Sequence, residues 1–251
     1  MTAPEKVGFI VAGAQKGGTT ALYDYLRENQ ELCLPRRKEL HFFDDDRYFT
    51  TEPVDYAPYH RAFEPRPPQW LLGEVTPGYM YWPTAAERIA RYNPAMKLIL
   101  LLRNPVTRAY SQWNMVRQFK KAPEALAFLD ALEAEPERVR SMPLQLAKRF
   151  AYVDRGFYAR QLKRLWHHIP RGQTIAFKSE ELQGSPATVL TRIAEFLGVS
   201  AFPPVGEKTA HAREYDTTMT EQERRYLVGI FESDIHELER LLGWDCSAWL
   251  D

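Results

Sequence analysis

The stretch FIVAGAQKGGTTALYDYLREN, Phe9 to Asn29, constrains the fold more than any other part of the chain. An apolar run leads into Gly13-Ala14-Gln15-Lys16-Gly17-Gly18-Thr19-Thr20, and then Leu22, Tyr25 and Leu26 recur at helical spacing. A strand, a glycine loop and a helix N-terminus in this order make an anion site. The first amides of a helix lack intrahelical partners, and the helix dipole favours negative charge there. Lys16 adds a point charge, Gly17 and Gly18 let backbone approach closely, and Thr19 and Thr20 add hydroxyl donors. A glycine-rich strand-to-helix turn that binds nothing fits the same residues, so the loop alone leaves both readings open.

The rest of the chain continues the alternation. The pattern predicts strands over Val7–Ala12, Trp70–Val75, Met96–Arg103 and Thr174–Lys178. Helices are predicted over Thr19–Glu28, Pro83–Tyr92, Asn104–Arg117, Phe157–His167, Pro186–Leu197 and Thr220–Leu242, with a helical, one-sidedly polar region over 122–150. Met96–Arg103 is apolar on both faces, as a central parallel strand is. Asn104-Pro105 reads as an N-cap and first helical residue, and Gly198 as a C-cap. Residues 44–69, rich in Pro, Asp and aromatics, are expected to be irregular or weakly helical. Alternating strands and helices imply an α/β fold, a P-loop-type doubly wound parallel sheet flanked by helices, with ligands at the carboxyl ends of the strands. With no repeat, low-complexity tract or long linker, residues 1–251 are expected to form a single domain.

Charge and cysteine content narrow the function. Basic and acidic residues balance at 33 each, which disfavours nucleic acid or a long sulfated polymer as partner. Two cysteines, Cys33 and Cys246, suit a reducing compartment. The N-terminal residues lack the charged and apolar regions of a signal peptide, and no apolar run reaches the ~20 residues that span a bilayer. A soluble, cytoplasmic protein is expected. Oligomeric state leaves no signal in the sequence.

A second anion site is legible in RNPVTRAYSQW. Arg103 ends the strongest strand and Ser111 lies in the helix that follows, so forked guanidinium donors and a hydroxyl can converge on one phosphate. Two strand-end anion sites in this order resemble the sulfotransferases that use adenosine 3′-phosphate 5′-phosphosulfate (PAPS). AGAQKGGTTALYDYL is similar to that family's 5′-phosphosulfate loop, and LILLLRNPVTRAYSQW to its 3′-phosphate strand and helix. KELHFFDDD and GEVTPGYMY resemble segments of the heparan-sulfate and bacterial branch, and weaker similarity extends through KSEEL, IAEFLGV and LLGWDCSAW. The resemblance implies PAPS as sulfuryl donor and adenosine 3′,5′-bisphosphate as product, without a metal. Lys16, Gly17, Gly18, Thr19 and Thr20 would hold the 5′-phosphate that leaves, and Arg103 and Ser111 the 3′-phosphate.

Transfer to an alcohol needs alignment, a base for the hydroxyl proton, and positive charge at the bridging oxygen. Glu39 and His41 stand two apart in RKELHFFDDD and would face one cleft in a strand-like segment. An ion pair of Glu39 with its basic neighbours Arg36, Arg37 and Lys38, and a half-buried His41, are the alternative reading. The resemblance assigns Glu39 as catalytic base, His41 as its assistant and Asp44 as a supporting acid, while Asp44-Asp45-Asp46 otherwise reads as a solvated turn. Val75 departs from the pattern, because the glycosaminoglycan enzymes commonly carry a lysine there; this and the neutral charge favour a small hydroxyl acceptor, a lipid, sugar or secondary metabolite. Glu74 and Thr76 line the site, or Glu74 only satisfies buried backbone groups at a strand end. Lys208 and Arg213 are assigned to the 3′-phosphate, Tyr158 faces the cofactor or the core, and Trp113, Trp166 and Trp244 fit packing faces. A P-loop kinase using ATP and Mg²⁺, and a non-catalytic nucleotide-binding protein, are the competing functions. A loop ending in Gly-Lys-Ser/Thr, expected of the kinase, is absent.

Overall fold

The computed structural model of the protein describes residues 6–204 and 218–251. They fall into two compact units, 6–102 with 162–204, and 103–161 with 218–251.

The first unit is built on a five-stranded parallel sheet of β1 (Val7–Gly13), β2 (Leu32–Cys33), β3 (Leu71–Val75), β4 (Lys97–Leu102) and β5 (Thr174–Lys178), in the order β2-β3-β1-β4-β5. Its helices are α1 (Thr19–Leu26), α2 (Ala57–His60) and α3 (Ala85–Tyr92). β1 sits centrally, pairing Val11 with Val75 of β3 and with Ile99 of β4. Leu98 to Leu102 are all inaccessible to solvent, as the continuous apolar run predicts. From β1 the chain turns toward β2, and from β3 and β4 it moves the opposite way. With right-handed crossovers that reversal puts helices on both faces and opens a crevice at the carboxyl end of β1. Phe9, Val11, Ile99, Leu101 and Phe177 on one face pack with Leu22 and Leu26 of α1.

After β5 come α8 (Ser179–Gly184) and α9 (Pro186–Leu197). Val189, Leu190 and Ile193 of α9 join the same cluster as α1. α9 ends on Gly198, whose φ of 77° only glycine adopts without strain. Lys97 of β4 donates to the carbonyls of Phe196 and Leu197, at 2.6 and 3.2 Å, satisfying the last turn with a cation.

In the second unit α4 (Pro105–Arg117) starts as predicted, with Asn104 Oδ1 accepting the Val106 amide at 2.9 Å and proline in the first turn. α5 (Phe128–Ser141) and α6 (Leu144–Phe150) replace the single helical region expected over 122–150. Pro143 forces Met142 out of the helical region, to ψ 149°, and so breaks the run. α7 (Tyr158–His168) has only its first residues, up to Gln161, in this unit, and α10 (Glu221–Leu242) completes its helices; α10 opens on a reciprocal box between Thr220 and Glu223. α4 packs on α6 and α10. Arg108 of α4, fully buried, donates to Gln112 Oε1 at 2.7 Å and to the Tyr152 carbonyl. Glu135 of α5 accepts the amides of Val153 and Asp154 at 2.7 Å each, and burial pushes its carboxyl up to about 7.

Candidate active site

The predicted phosphate loop lies at the carboxyl end of β1. The Ala14 amide bonds the Leu101 carbonyl of β4 at 2.7 Å, and the Gly17 amide turns back onto the Ala14 carbonyl at 2.9 Å. A Cβ on Gly17 would come within 2.3 Å of the Leu101 oxygen, so only glycine lets the loop lie this flat against β4. Ser179, at the start of α8, donates to the Gly17 carbonyl at 2.6 Å and pins the loop from β5. Gly18 is the N-cap of α1 in the left-handed region, φ 92°, with no side chain capping the helix. A Cβ there would meet nothing within 4 Å. The amides of Thr19 and Thr20 thus start a helix whose N-terminus has room for an anion. Gln15 Oε1 is buried without a hydrogen-bond partner among the described residues. Sequence reasoning passed over Gln15 and Ser179, which belong to no phosphate pattern and become visible only through their contacts.

Glu39 stands at the end of the neighbouring strand: its amide bonds the Val75 carbonyl, the last of β3, at 3.0 Å. The structure brings Glu39 and His41 together, by a different route from the one expected. The segment is not strand-like, since both residues have positive φ, 65° and 54°, and the chain coils rather than alternates. Glu39, 37% exposed, holds Lys38 Nζ on Oε1 at 2.5 Å and faces His41 Nε2 at 3.5 Å. Burial pushes its carboxyl up, but the hydrogen bond from His41 and the Lys38 ammonium outweigh this and hold it at about 2. The other imidazole nitrogen, Nδ1, meets Asp44 at 3.0 Å. Asp44 is 1% exposed, so the solvated-turn reading of Asp44-Asp45-Asp46 fails for its first member. Only Asp45 and Asp46 behave as surface acids, paired with Arg47 and Arg88.

Beneath this turn lies Glu74 of β3, wholly inaccessible, accepting from the hydroxyls of Tyr59 at 2.6 Å, Thr76 at 2.7 Å and Tyr79 at 3.2 Å. Burial pushes Glu74 up to about 7 despite these donors. The sequence alternative of buried backbone groups as partners of Glu74 is not what is observed: its donors are the side-chain hydroxyls of Tyr59, Thr76 and Tyr79. Val75 is fully buried in the apolar cluster and offers no amine at that position.

Within the second unit Arg103 and Ser111 share one side of α4. Arg103 Nε donates to Thr107 Oγ1 at 3.0 Å, and Thr107 and Ser111, one turn apart, lie on one face. Tyr158 is a core residue whose hydroxyl donates to the Arg103 carbonyl at 2.9 Å, fixing the backbone that presents the guanidinium. Trp113 is buried against Tyr110 and Phe128, as its packing assignment requires. Lys208 and Arg213 lie outside the described residues.

Comparison with known proteins gives one consistent answer. A sulfotransferase domain model matches residues 7–226. Mouse heparan sulfate glucosamine 3-O-sulfotransferase 3B1 is 31% identical over 197 residues, covering 76% of this chain and 45% of that protein. Human bifunctional heparan sulfate N-deacetylase/N-sulfotransferase 3 is 32% identical over 201 residues, 76% of this chain and 22% of its own length. The chain therefore spans less than half the length of these curated relatives. The crystal structure of a sulfotransferase from Alicyclobacillus acidocaldarius superposes with a TM-score of 0.80 at 29% identity, covering 98% of this chain and 99% of that one. Mouse sulfotransferase SULT7A1 complexed with PAP shares the fold at a TM-score of 0.57 and 13% identity, over 96% and 90% of the two chains.

Proposed function

Because this chain belongs to the sulfotransferase domain family, we propose that it moves the sulfuryl group of PAPS to a hydroxyl of a small acceptor and releases adenosine 3′,5′-bisphosphate. The observation that carries this reading is the placement of Glu39 at the end of β3, one strand from the glycine loop that ends β1. Adjacent strands run ~4.8 Å apart, so the base and the phosphate loop occupy neighbouring strand ends. The residues present fit the donor: an uncapped helix N-terminus with an open approach at Gly18 suits its 5′-phosphate. PAPS supplies the activated sulfuryl group; the protein supplies orientation, charge and a proton acceptor.

In this reading Lys16 and the amides of Gly18 to Thr20 stabilise the charge that grows on the leaving phosphate, with Gly17 letting the loop lie close, and no metal is required. Arg103 and Ser111 hold the 3′-phosphate, joined by Lys208 and Arg213, and residues 1–251 act as one catalytic domain. Glu39 takes the acceptor proton. A carboxylate held at about 2 is a weak base, and an acceptor hydroxyl that takes the place of Lys38 or His41 on it removes one of the groups that hold it there. Either loss raises its proton affinity toward what proton transfer needs. His41, braced by Asp44, orients the acceptor. The buried Val75, where a lysine serves the glycosaminoglycan enzymes, supports a lipid, sugar or secondary metabolite over a polyanion. Among the described residues no helix is long and apolar enough to cross a membrane, and two buried free cysteines suit the cytoplasm.

Calorimetric titration with adenosine 3′,5′-bisphosphate, adenosine 5′-phosphate and ATP-Mg²⁺, on wild type and Arg103→Ala, tests the reading. Tight binding that requires the 3′-phosphate and weakens about 10- to 100-fold in the variant is expected, the loss of one charge-assisted contact. A preference for ATP-Mg²⁺ would overturn it in favour of a kinase.

A further inference from the structure

The hydrogen bonds around Glu74 have a direction. A hydroxyl carries one proton and two lone pairs. Thr76 gives its proton to Glu74 Oε2 at 2.7 Å, and Tyr79 directs its own to Oε1 at 3.2 Å. Both oxygens are then left as acceptors, and both are used. Thr76 Oγ1 receives the Leu40 amide at 3.1 Å, and the Tyr79 oxygen receives the Phe42 amide at 2.9 Å. These two amides bracket His41, and Leu40 lies between the two residues whose φ is positive, Glu39 and His41. Side chains with a Cβ rarely adopt that conformation without support from their surroundings. The carbonyl of Val75, next to Glu74, receives the Glu39 amide at 3.0 Å. Three consecutive residues of one strand end, with Tyr79, thus hold the turn through its backbone.

We propose that Glu74 is a positioning residue for sulfuryl transfer: by taking the protons of the Thr76 and Tyr79 hydroxyls it makes them acceptors for the Leu40 and Phe42 amides, and so fixes the turn that presents Glu39 and His41. This rests on the function proposed above. Glu74 is sealed from solvent and touches no acceptor or nucleotide; its effect runs through two hydroxyls and two amides. A glutamine at this position offers an NH₂ where one hydroxyl needs an acceptor, so that hydroxyl loses the partner that orients it. The same turn is released from the other side when the Thr76 hydroxyl is removed.

The test compares wild type with Glu74→Gln, Thr76→Val and Thr76→Ser. Three quantities are read: affinity for adenosine 3′,5′-bisphosphate by calorimetry, kcat for sulfuryl transfer at saturating PAPS, and the His41 ring resonances by NMR. Glu74→Gln and Thr76→Val are expected to keep wild-type bisphosphate affinity, shift the His41 resonances and lower kcat about 10- to 100-fold, the scale of an ångström-level misplacement. Thr76→Ser, which keeps the hydroxyl, is expected to match wild type in all three. Unchanged His41 resonances and kcat in Glu74→Gln and Thr76→Val would overturn the proposal. So would a parallel fall in bisphosphate affinity and kcat, which would make Glu74 a support of the whole fold. A wild-type protein that neither binds the bisphosphate nor transfers sulfuryl would sink the proposed function alone, and the His41 resonances would still decide whether Glu74 holds the turn.

Discussion

Replacing Gly17 with alanine separates a close approach required by the fold from mere glycine richness. The new Cβ would stand 2.3 Å from the Leu101 carbonyl oxygen and 2.9 Å from that of Ala14, both backbone atoms that cannot swing aside. Ordinary van der Waals contact lies at 3.4–4 Å, so the loop must move off β4 by roughly 1 Å. That shift strains the Ala14-to-Leu101 bond of 2.7 Å and the buried Ser179-to-Gly17 bond of 2.6 Å. Overpacking of this kind destabilises by about 1–3 kcal/mol. The displaced amides lose their aim, and a misplacement of 1 Å lowers function about 100-fold. Gly18→Ala is the control. Its Cβ meets nothing, and only the φ of 92° opposes it, which costs about 1–2 kcal/mol without pushing the loop from β4. Thermal unfolding and titration with adenosine 3′,5′-bisphosphate are expected to show both variants destabilised, with binding lost far more in Gly17→Ala. Wild-type affinity in Gly17→Ala would refute the argument that the flat approach to Leu101 shapes the phosphate site.

Three further outcomes follow from the charges. Lys38→Met removes a cation that holds Glu39 at about 2; the acid limb of the kcat/KM profile is expected to move to higher pH, and an unmoved limb would mean Lys38 does not tune the base. Glu39→Gln is expected to lower kcat by about 10²–10⁴, the usual weight of a general base, while calorimetry shows unchanged bisphosphate binding; activity near wild type would remove Glu39 from its role. Glu74 and Glu135 are both raised to about 7 in the folded chain. The folded state therefore binds more protons than the unfolded one between about pH 4.5 and 7, and stability falls as pH rises through that window, by up to about 1.4 kcal/mol per pH unit for each group. Urea unfolding across the window checks this, with Glu135→Gln expected to flatten the slope; a stability that rises from pH 5 to 7 would contradict it.

The sheet was legible because its strands are apolar on both faces and punctuated by glycine, proline and caps. Thr174–Lys178 and Pro186–Leu197 have the limits that the pattern predicts. Leu32–Cys33 escaped, since two residues are too few to display a period, while Ala57–His60 is the short helix of a region expected to be irregular or weakly helical. At the site, chemistry was easier to read than geometry. Glu39 and His41 could be chosen by type, but two left-handed positions one residue apart, neither of them glycine, carry no sequence signal, because the support comes from Thr76 and Tyr79 far along the chain. Asp44 looked like a surface acid for the same reason: its burial is decided by contacts that adjacent letters do not show.

The central place of β1 also sets an order of assembly. Its hydrogen-bonding partners, β3 and β4, are translated long after it, and the loop that follows β1 rests on Leu101 of β4. A nascent chain that stops before Lys97 carries every letter of the glycine motif and none of its shape. Pairings of such long sequence separation form slowly, since loop closure must precede the contacts that reward it. The anion site is therefore a late product of folding, and binding of a nucleotide to a growing or truncated chain reports that the sheet has closed as far as β4.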